Sequence, residues 1–372
     1  MGARGMGMAS VVANPDDLIS AFYYNPAGLA RIKGENIAVG SGFVYLPFKY
    51  QNSEGYSQPD HMIAPMPFFG YSTDKAQPVV LGIGLFSTLG VGFDFEKDPA
   101  HGIYDDIESS AGVLYVSPTL AYRINPRLAV GFELNIGYGM AEINQPLRHP
   151  VTGTPLGGYL ETKSDGFGYG FTVGLLYEIT PSLTMGLNWR SPMKTSLEGD
   201  AKFAGQEDDF ELDFYWPQMV SLGLAYKPNP RLTLSVSTKW ADWTYFDRSK
   251  FLRFERERFT QFNGPLFDDS RDTMQYLVGL DYWHNKDIVL RIGYKYDQYS
   301  IDSKYLSPLV ADVDDHMFFG GIGIQWNKWQ AHLFCCYAVP VERKNEESLV
   351  GYPNGEVSGY APVPGFEINY RF

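Results

Sequence analysis

The stretch Leu128-Ala129-Val130-Gly131-Phe132-Glu133-Leu134-Asn135-Ile136-Gly137-Tyr138-Gly139-Met140 alternates without a break. Its even positions carry Leu128, Val130, Phe132, Leu134, Ile136, Tyr138 and Met140. Its odd positions carry Ala129, Gly131, Glu133, Asn135, Gly137 and Gly139. Successive side chains of a strand point to opposite faces, so a period of two over this length means one strand with an apolar face and a small-or-polar face. Strands of soluble proteins run ~5–6 residues, whereas a strand that crosses a bilayer at a tilt takes ~9–11. The apolar stripe is therefore expected to face lipid and the Gly-rich stripe a lumen.

The same period recurs outward from this run. It is seen at Leu183-Met185-Leu187-Trp189, at Leu232-Leu234-Val236, at Ile288-Leu290-Ile292-Tyr294-Tyr296, and at Phe366-Ile368-Tyr370-Phe372. Strands are expected near 36–51, 62–72, 79–93, 112–123, 128–142, 166–178, 183–193, 212–226, 232–243, 273–283, 288–298, 317–326, 331–340 and 362–372, fourteen in all. The connections alternate between short turns with Pro or Asn chemistry and long loops near 94–111, 143–165, 194–211, 244–272, 299–316 and 341–361. Short turns on one rim and long loops on the other are the pattern of an outer-membrane barrel. Tyr122, Tyr138, Tyr177, Trp189, Tyr226, Trp240 and Trp326 fall at stripe ends, as an interfacial girdle requires.

Composition agrees. Glycine (39 of 372 residues) and 16% aromatic residues suit packed strands better than long helices. A formal charge of −13 argues against a nucleic-acid binder. Mean hydropathy of −0.22 argues against a helical membrane protein. Cys335 and Cys336 are adjacent, so their side chains are expected on opposite strand faces, and no metal-type cysteine spacing exists. Met1-Gly2-Ala3-Arg4 leads into no apolar stretch of a secretory signal, so a mature chain is expected. Residues 1–35 do not alternate; they read as a Gly-rich, partly helical segment that packs in the lumen as a plug, with 36–372 forming the barrel.

Gly5-Met6-Gly7-Met8-Ala9-Ser10 and Phe22-Tyr23-Tyr24-Asn25-Pro26-Ala27-Gly28-Leu29 resemble the N-terminal hatch of the FadL family. Those proteins are outer-membrane transporters of long-chain fatty acids and, in some members, aromatic hydrocarbons. Similarity extends through Ala121-Tyr122-Arg123-Ile124-Asn125, Gly174-Leu175-Leu176-Tyr177-Glu178-Ile179, Trp189-Arg190-Ser191 and Asn369-Tyr370-Arg371-Phe372, whose final Phe resembles a barrel-assembly signal. The resemblance implies an all-β, 14-stranded antiparallel transmembrane barrel plugged by a hatch. It also implies a monomer without cofactor, in contact with outer-membrane lipid and lipopolysaccharide. Asn25, Pro26 and Ala27 would touch an inward-kinked third strand and control passage, and ligand would leave sideways through the gap at that kink. The chain starts later than family members do, so hatch residues near the pocket are expected to be missing or trimmed, and its loops are short.

The candidate transport residues follow. In the third strand, alternation breaks at Phe86-Ser87-Thr88-Leu89-Gly90-Val91-Gly92-Phe93, and Gly90 and Gly92 mark a bulge or kink; the plain alternative is that they relieve crowding. Lys250 resembles a basic pocket position of the family. Where a second basic residue is expected stands Gln145, with Arg148 close by, which leaves room for a neutral ligand. Inward-facing Arg123, Glu133, Arg190, Lys239, Asp281, Arg291, Lys295, Glu367 and Arg371 read mainly as a paired network that holds the plug. Asp94, Glu96, Asp98, Asp105, Asp106 and Glu108 read as solvated acid, with bridging of lipopolysaccharide through divalent cations as the sharper alternative. Two other functions compete: a water-filled porin, which would lack a plug, and a lipid hydrolase, for which Asp314-Asp315-His316 is suggestive only superficially and reads as a solvated loop end.

Overall fold

A computed structural model describes residues 1–53, 55–57, 63–95, 107–148, 155–203, 206–248, 253–254, 269–306, 314–347 and 354–372. Fourteen strands follow one another around a closed antiparallel barrel. They are β1 (Asn36–Tyr45), β2 (Ile63–Thr73), β3 (Val79–Phe95), β4 (Ile107–Asn125), β5 (Leu128–Arg148) and β6 (Pro155–Thr180). β7 runs through Leu183–Arg190 and Met193–Phe203, and β8 through Gln206–Trp216 and Gln218–Asn229; Pro192 and Pro217 fall at their interruptions. The wall continues with β9 (Leu232–Asp242), β10 (Thr273–Trp283), β11 (Ile288–Asp297), β12 (Asp315–Trp326), β13 (Trp329–Asn345) and β14 (Gly355–Arg371). β14 closes on β1 from Asn36↔Arg371 to Gly42↔Gly365. Closure pairs the last strand with the first, which is what lets a sheet span a bilayer.

The alternation reads onto the wall as expected. In β5, Phe132, Leu134 and Met140 point outward, with Leu134 38% exposed, while Glu133 (0%) and Asn135 (3%) point inward. Cys335 is exposed and Cys336 buried, on opposite faces. Among the described residues no helix is long and apolar enough to cross a membrane; the strands do that.

Several expected loops are strand. Residues 194–203 and 206–211 continue the β7–β8 hairpin from Met193↔Trp216 to Phe203↔Gln206, and β6 begins at Pro155. The cause is a second apolar cluster on the inner side of this extension, where Leu197, Ala201, Phe203, Phe210 and Leu212 meet Leu147 and Leu160. Its outer side carries Glu198, Asp200, Asp209 and Glu211, so the stretch looks like polar loop when read without its alternate face.

Inside the wall lies the N-terminal segment. It holds a short helix α1 (Gly5–Met8), a second, α2 (Leu18–Tyr23), and a 3-10 helix over Pro26–Arg31. Asp17 caps α2 by accepting from Ser20 N at 2.9 Å, and Asn25 starts the 3-10 helix with its side chain accepting from Ala27 N. Pro26 sits at its first turn, where a missing N–H costs nothing.

Candidate functional site in the barrel lumen

The N-terminal segment is seated on glycine. A methyl group at Gly70, Gly82 or Gly84 would meet the Phe22 ring at 2.8–2.9 Å, so three glycines of β2 and β3 form the slot for that ring. Gly131 of β5 and Gly174 of β6 leave room for Asn25, Pro26 and the Ala27 backbone; Gly186 of β7 does so for Val12 and Ala13, and Gly279 and Gly293 for Met8. The small stripe of the lumen face thus exists because a second backbone lies against it.

Polar contacts fix the register of the seat. The Asn25 amide donates to Val12 O (2.9 Å), to Leu175 O (3.1 Å) and to Leu187 O (3.4 Å), while its oxygen accepts from Ala27 N (3.2 Å). Ala3 N donates to Glu367 of β14 at 2.6 Å, and Ser10 shares a 2.8 Å bond with Ser237 of β9. Arg4 reaches Asp281 of β10 at 2.6 Å; Arg291 shares that carboxylate at 3.3 Å and touches His332 at 3.1 Å. Arg123 donates to Ala30 O. Asp16 lies 3.2 Å from Lys227, 3.7 Å from Arg31 and 3.8 Å from Arg4. Burial pushes the Asp16 carboxyl up, but Arg4, Lys227 and Arg31 outweigh it and leave the group below its ordinary range.

The wall is not bonded evenly. β3 follows β4 from Val79↔Tyr122 to Phe95↔Ile107, with a register shift between Leu89 and Gly92. Against β2 it pairs only from Thr73↔Leu81 to Phe68↔Phe86, although β2 itself goes on pairing with β1 as far as Tyr45↔Ile63. β3 therefore parts from β2 after Phe86, ahead of Gly90; the two glycines mark the bulge against β4. Phe86 is buried on the lumen side, stacked on Tyr115 at 5.4 Å and met edge-on by Tyr23 at 5.5 Å. Phe22 and Tyr23 make ring contacts with β3, and the 3-10 helix Pro26–Arg31 also lies against that strand. The bonds of Asn25 go to β6 and β7 instead, because its amide meets carbonyls there.

Beside Tyr23 lies a cavity of about 70 Å³, lined by Val12, Tyr24, Met219 and Leu277 together with Asn188, Arg190 and Lys239. Arg190 donates to Tyr23 O at 3.1 Å and sits 5.3 Å from the Tyr23 ring centroid. Lys239 has no hydrogen bond or ion pair among the described residues, and the Asn188 amide nitrogen is buried without a partner. Lys295, by contrast, is paired with Asp297 at 2.8 Å. The cavity thus joins aromatic and aliphatic side chains and the polar Ser221, Ser237, Thr238 and Gln275 to two cations, neither in an ion pair among the described residues.

Of the residues singled out from sequence, Asn25, Pro26, Ala27 and Phe86 line the lumen, and Gly90 and Gly92 lie on β3. Arg148 ends β5 opposite Pro155. Lys250 lies outside the described residues, as do Glu96, Asp98, Asp105 and Asp106. Arg190 and Lys239 stood in the sequence only as two of many inward charges; what sets them apart is their company in space. Phe22 and Tyr23 were visible as the start of the hatch motif, but not as its contact with β3.

A model of the family described as outer membrane protein transport protein (OMPP1/FadL/TodX) matches residues 1–372. A long-chain fatty acid transport protein of Escherichia coli O6:H1 is 22% identical, covering 78% of this chain and 73% of its own. A putative outer membrane protein of Neisseria meningitidis serogroup B is 21% identical, covering 95% and 89%. Among solved structures, a Pseudomonas aeruginosa FadL homologue superposes with a TM-score of 0.83 at 18% identity, covering 100% of this chain and 98% of its own. The Pseudomonas putida toluene transporter TodX does so with 0.79 at 17%, covering 100% and 98%.

Proposed function

Because the chain belongs to the OMPP1/FadL/TodX family of outer membrane transport proteins, we propose that it carries long-chain fatty acids passively into the outer membrane of a Gram-negative cell. The observation that carries the choice of ligand is the pair Arg190 and Lys239 at a partly aromatic cavity, with Lys239 in no ion pair among the described residues and the acid that acts on it, Asp297, already bound to Lys295. A hydrocarbon needs no such cation; a carboxylate gains most from one held in an apolar surround. The space of about 70 Å³ is far below the ~300–1,000 Å³ of ordinary ligand sites. It takes a headgroup, and the tail lies toward the loop side until the segment shifts.

Residues 1–35 act as the hatch. Arg190 holds Tyr23, and Tyr23 rests on Phe86 where β3 parts from β2. A carboxylate that draws Arg190 away loosens Tyr23 and opens a sideways exit past Phe86 into the bilayer. Gly90 and Gly92, at the bulge against β4, let β3 bend beyond that point. One barrel encloses the whole route, so a monomer suffices and no catalytic step is required. The acidic outer face of the β7–β8 extension, with Glu198 and Asp200, lies on the side where lipopolysaccharide stands. A porin is the weaker reading, since the segment and its glycine seat occupy the lumen.

The test is binding of oleate and of a neutral alkane of equal length to the detergent-solubilised protein. Lys239→Ala is expected to weaken oleate by about tenfold, ~1.4 kcal/mol, and to leave the alkane unchanged. Equal effects on both ligands, or on neither, would remove the carboxylate assignment. Large steady single-channel currents from the unmodified protein would favour the porin.

A further inference from the structure

We propose that residues 43–45 and 63–67, the loop-side end of the β1–β2 hairpin, form the moving leaf of the lateral gate, released from β14 and β3 by prolines that face those neighbours. The inference rests on the sideways-exit reading above and adds the part that moves.

The hairpin itself is continuous, paired from Asn36↔Ser72 to Tyr45↔Ile63. On one flank, β2 stops pairing with β3 at Phe68↔Phe86. On the other, the β1–β14 ladder stops at Gly42↔Gly365 and takes up again in the same register only at Lys49↔Ser358. Residues 43–45 and 63–67 thus keep their mutual ladder while the backbone pairing to β14 and to β3 is interrupted beside them.

Prolines stand at both intervals, and parity shows which way they face. In an antiparallel sheet the N–H and C=O of one residue point to the same neighbour, and alternate residues serve alternate neighbours. Pro67 lies opposite Ser41 and Pro65 opposite Phe43. A residue without N–H cannot exchange both bonds with its opposite number. Met66 and Phe68 therefore bond β1, and Pro65 and Pro67 face β3. By the same reasoning Pro362, opposite Tyr337, and Pro364, opposite Cys335, face away from β13 and toward β1. Both ladders end where the wall first presents two successive positions without a donor.

The barrel contains its own comparison. Pro118 lies opposite Ile83 of β3 and so faces β5. There the bridges pass from Val116↔Ile136 to Thr119↔Glu133 and continue in unchanged register. One proline interrupts a ladder briefly; two at alternate positions go with a longer interval.

The prolines also answer the cost of a gap in hydrocarbon. An unpaired N–H facing lipid is expensive, and proline has none to leave unpaired. The inner face of the leaf, Val44 and Met66, is buried with Phe68, Phe334 and Val363. Outward swing of the leaf from Gly40 and Gly42 would uncover an apolar surface continuous with Phe86, the kind of surface a hydrocarbon tail crosses.

The test uses the full chain with Cys335→Ser and Cys336→Ser, reconstituted in vesicles and supplied with radiolabelled oleate. Three cysteine pairs are bridged by a short reducible bis-thiol linker: V44C/V363C across the β1–β14 interval, M66C/T88C across the β2–β3 gap, and V39C/I368C at positions already paired. Bridging V44C/V363C is expected to slow uptake by about tenfold, reversibly on reduction, with oleate binding in detergent unchanged; V39C/I368C should have no effect. If M66C/T88C blocks uptake while V44C/V363C does not, the leaf is fixed and the proposal fails with the sideways exit intact. If M66C/T88C leaves uptake unchanged, the sideways exit itself fails. Independently, P362A/P364A supplies the missing donors and should slow both uptake and hydrogen exchange at Phe43, the β1 residue in register with Pro364. Slower exchange with unchanged uptake would overturn the moving leaf.

Discussion

Asn25 shows how much of the seat depends on one side chain. Its amide nitrogen faces the carbonyls of Val12, Leu175 and Leu187, so it ties the hatch to itself and to two strands. Asn25→Asp keeps the shape and turns a donor into an acceptor among acceptors. The expected result is a hatch destabilised by roughly 1–3 kcal/mol, read as faster proteolysis of residues 1–35 in a barrel that stays folded. Unchanged protection would mean the amide bonds contribute little. At this scale the sequence was legible for motif members and poorly legible for partners. Asn25-Pro26 could be read as a cap, because a cap is local. That Arg190 and Lys239 share a cavity depends on β7 and β9 lying on either side of β8, and a list of inward charges does not weigh neighbours. The alternate prolines Pro65, Pro67, Pro362 and Pro364 stood in plain view, but their meaning requires knowing which flank each one faces.

Strands were the most legible elements, since a period of two over a long run has one interpretation. Outward direction on β5 gives a direct measurement. Leu134 lies near the middle of the crossing, and Met140 lies level with Asp165 near the loop side. Leu134→Arg is expected to cost roughly 2–4 kcal/mol and Met140→Arg about 0–1 kcal/mol, following depth in the bilayer. Equal costs in a denaturant titration would place the apolar band elsewhere. The inner neighbour Asn135 is no tolerant comparison: it donates to Thr172 at 2.8 Å, accepts from Ser117 at 3.2 Å, and has no space around it. Strand ends were less legible. The extension of β6, β7 and β8 alternates acid with leucine and phenylalanine, and the acids dominate any reading that does not separate the two faces.

For the molecule as a whole, barrel and hatch are a matched pair, and glycine is where they match. Gly131 would put a methyl group 2.6 Å from Pro26 O, whereas Gly112, on the neighbouring strand, has nothing within 4 Å. Gly131→Ala should therefore unseat the hatch and raise ion conductance, with heat-modifiable barrel migration kept, while Gly112→Ala should do neither. Equal behaviour of the two variants would show that the hatch is not held by this close approach. The bond from Ala3 to Glu367 extends the point from the finished molecule to its making. Glu367 sits on β14, which follows the other strands in the chain, yet it receives a residue of the segment that precedes β1. The hatch cannot settle until the final strand arrives, and the seam that β14 closes is the same one that completes its seat. Sealing the wall and seating the hatch are thus a single late event in assembly. Until then the chain must carry Phe22, Ile19 and Leu29 unsheltered across the periplasm, a stretch for escort by a chaperone.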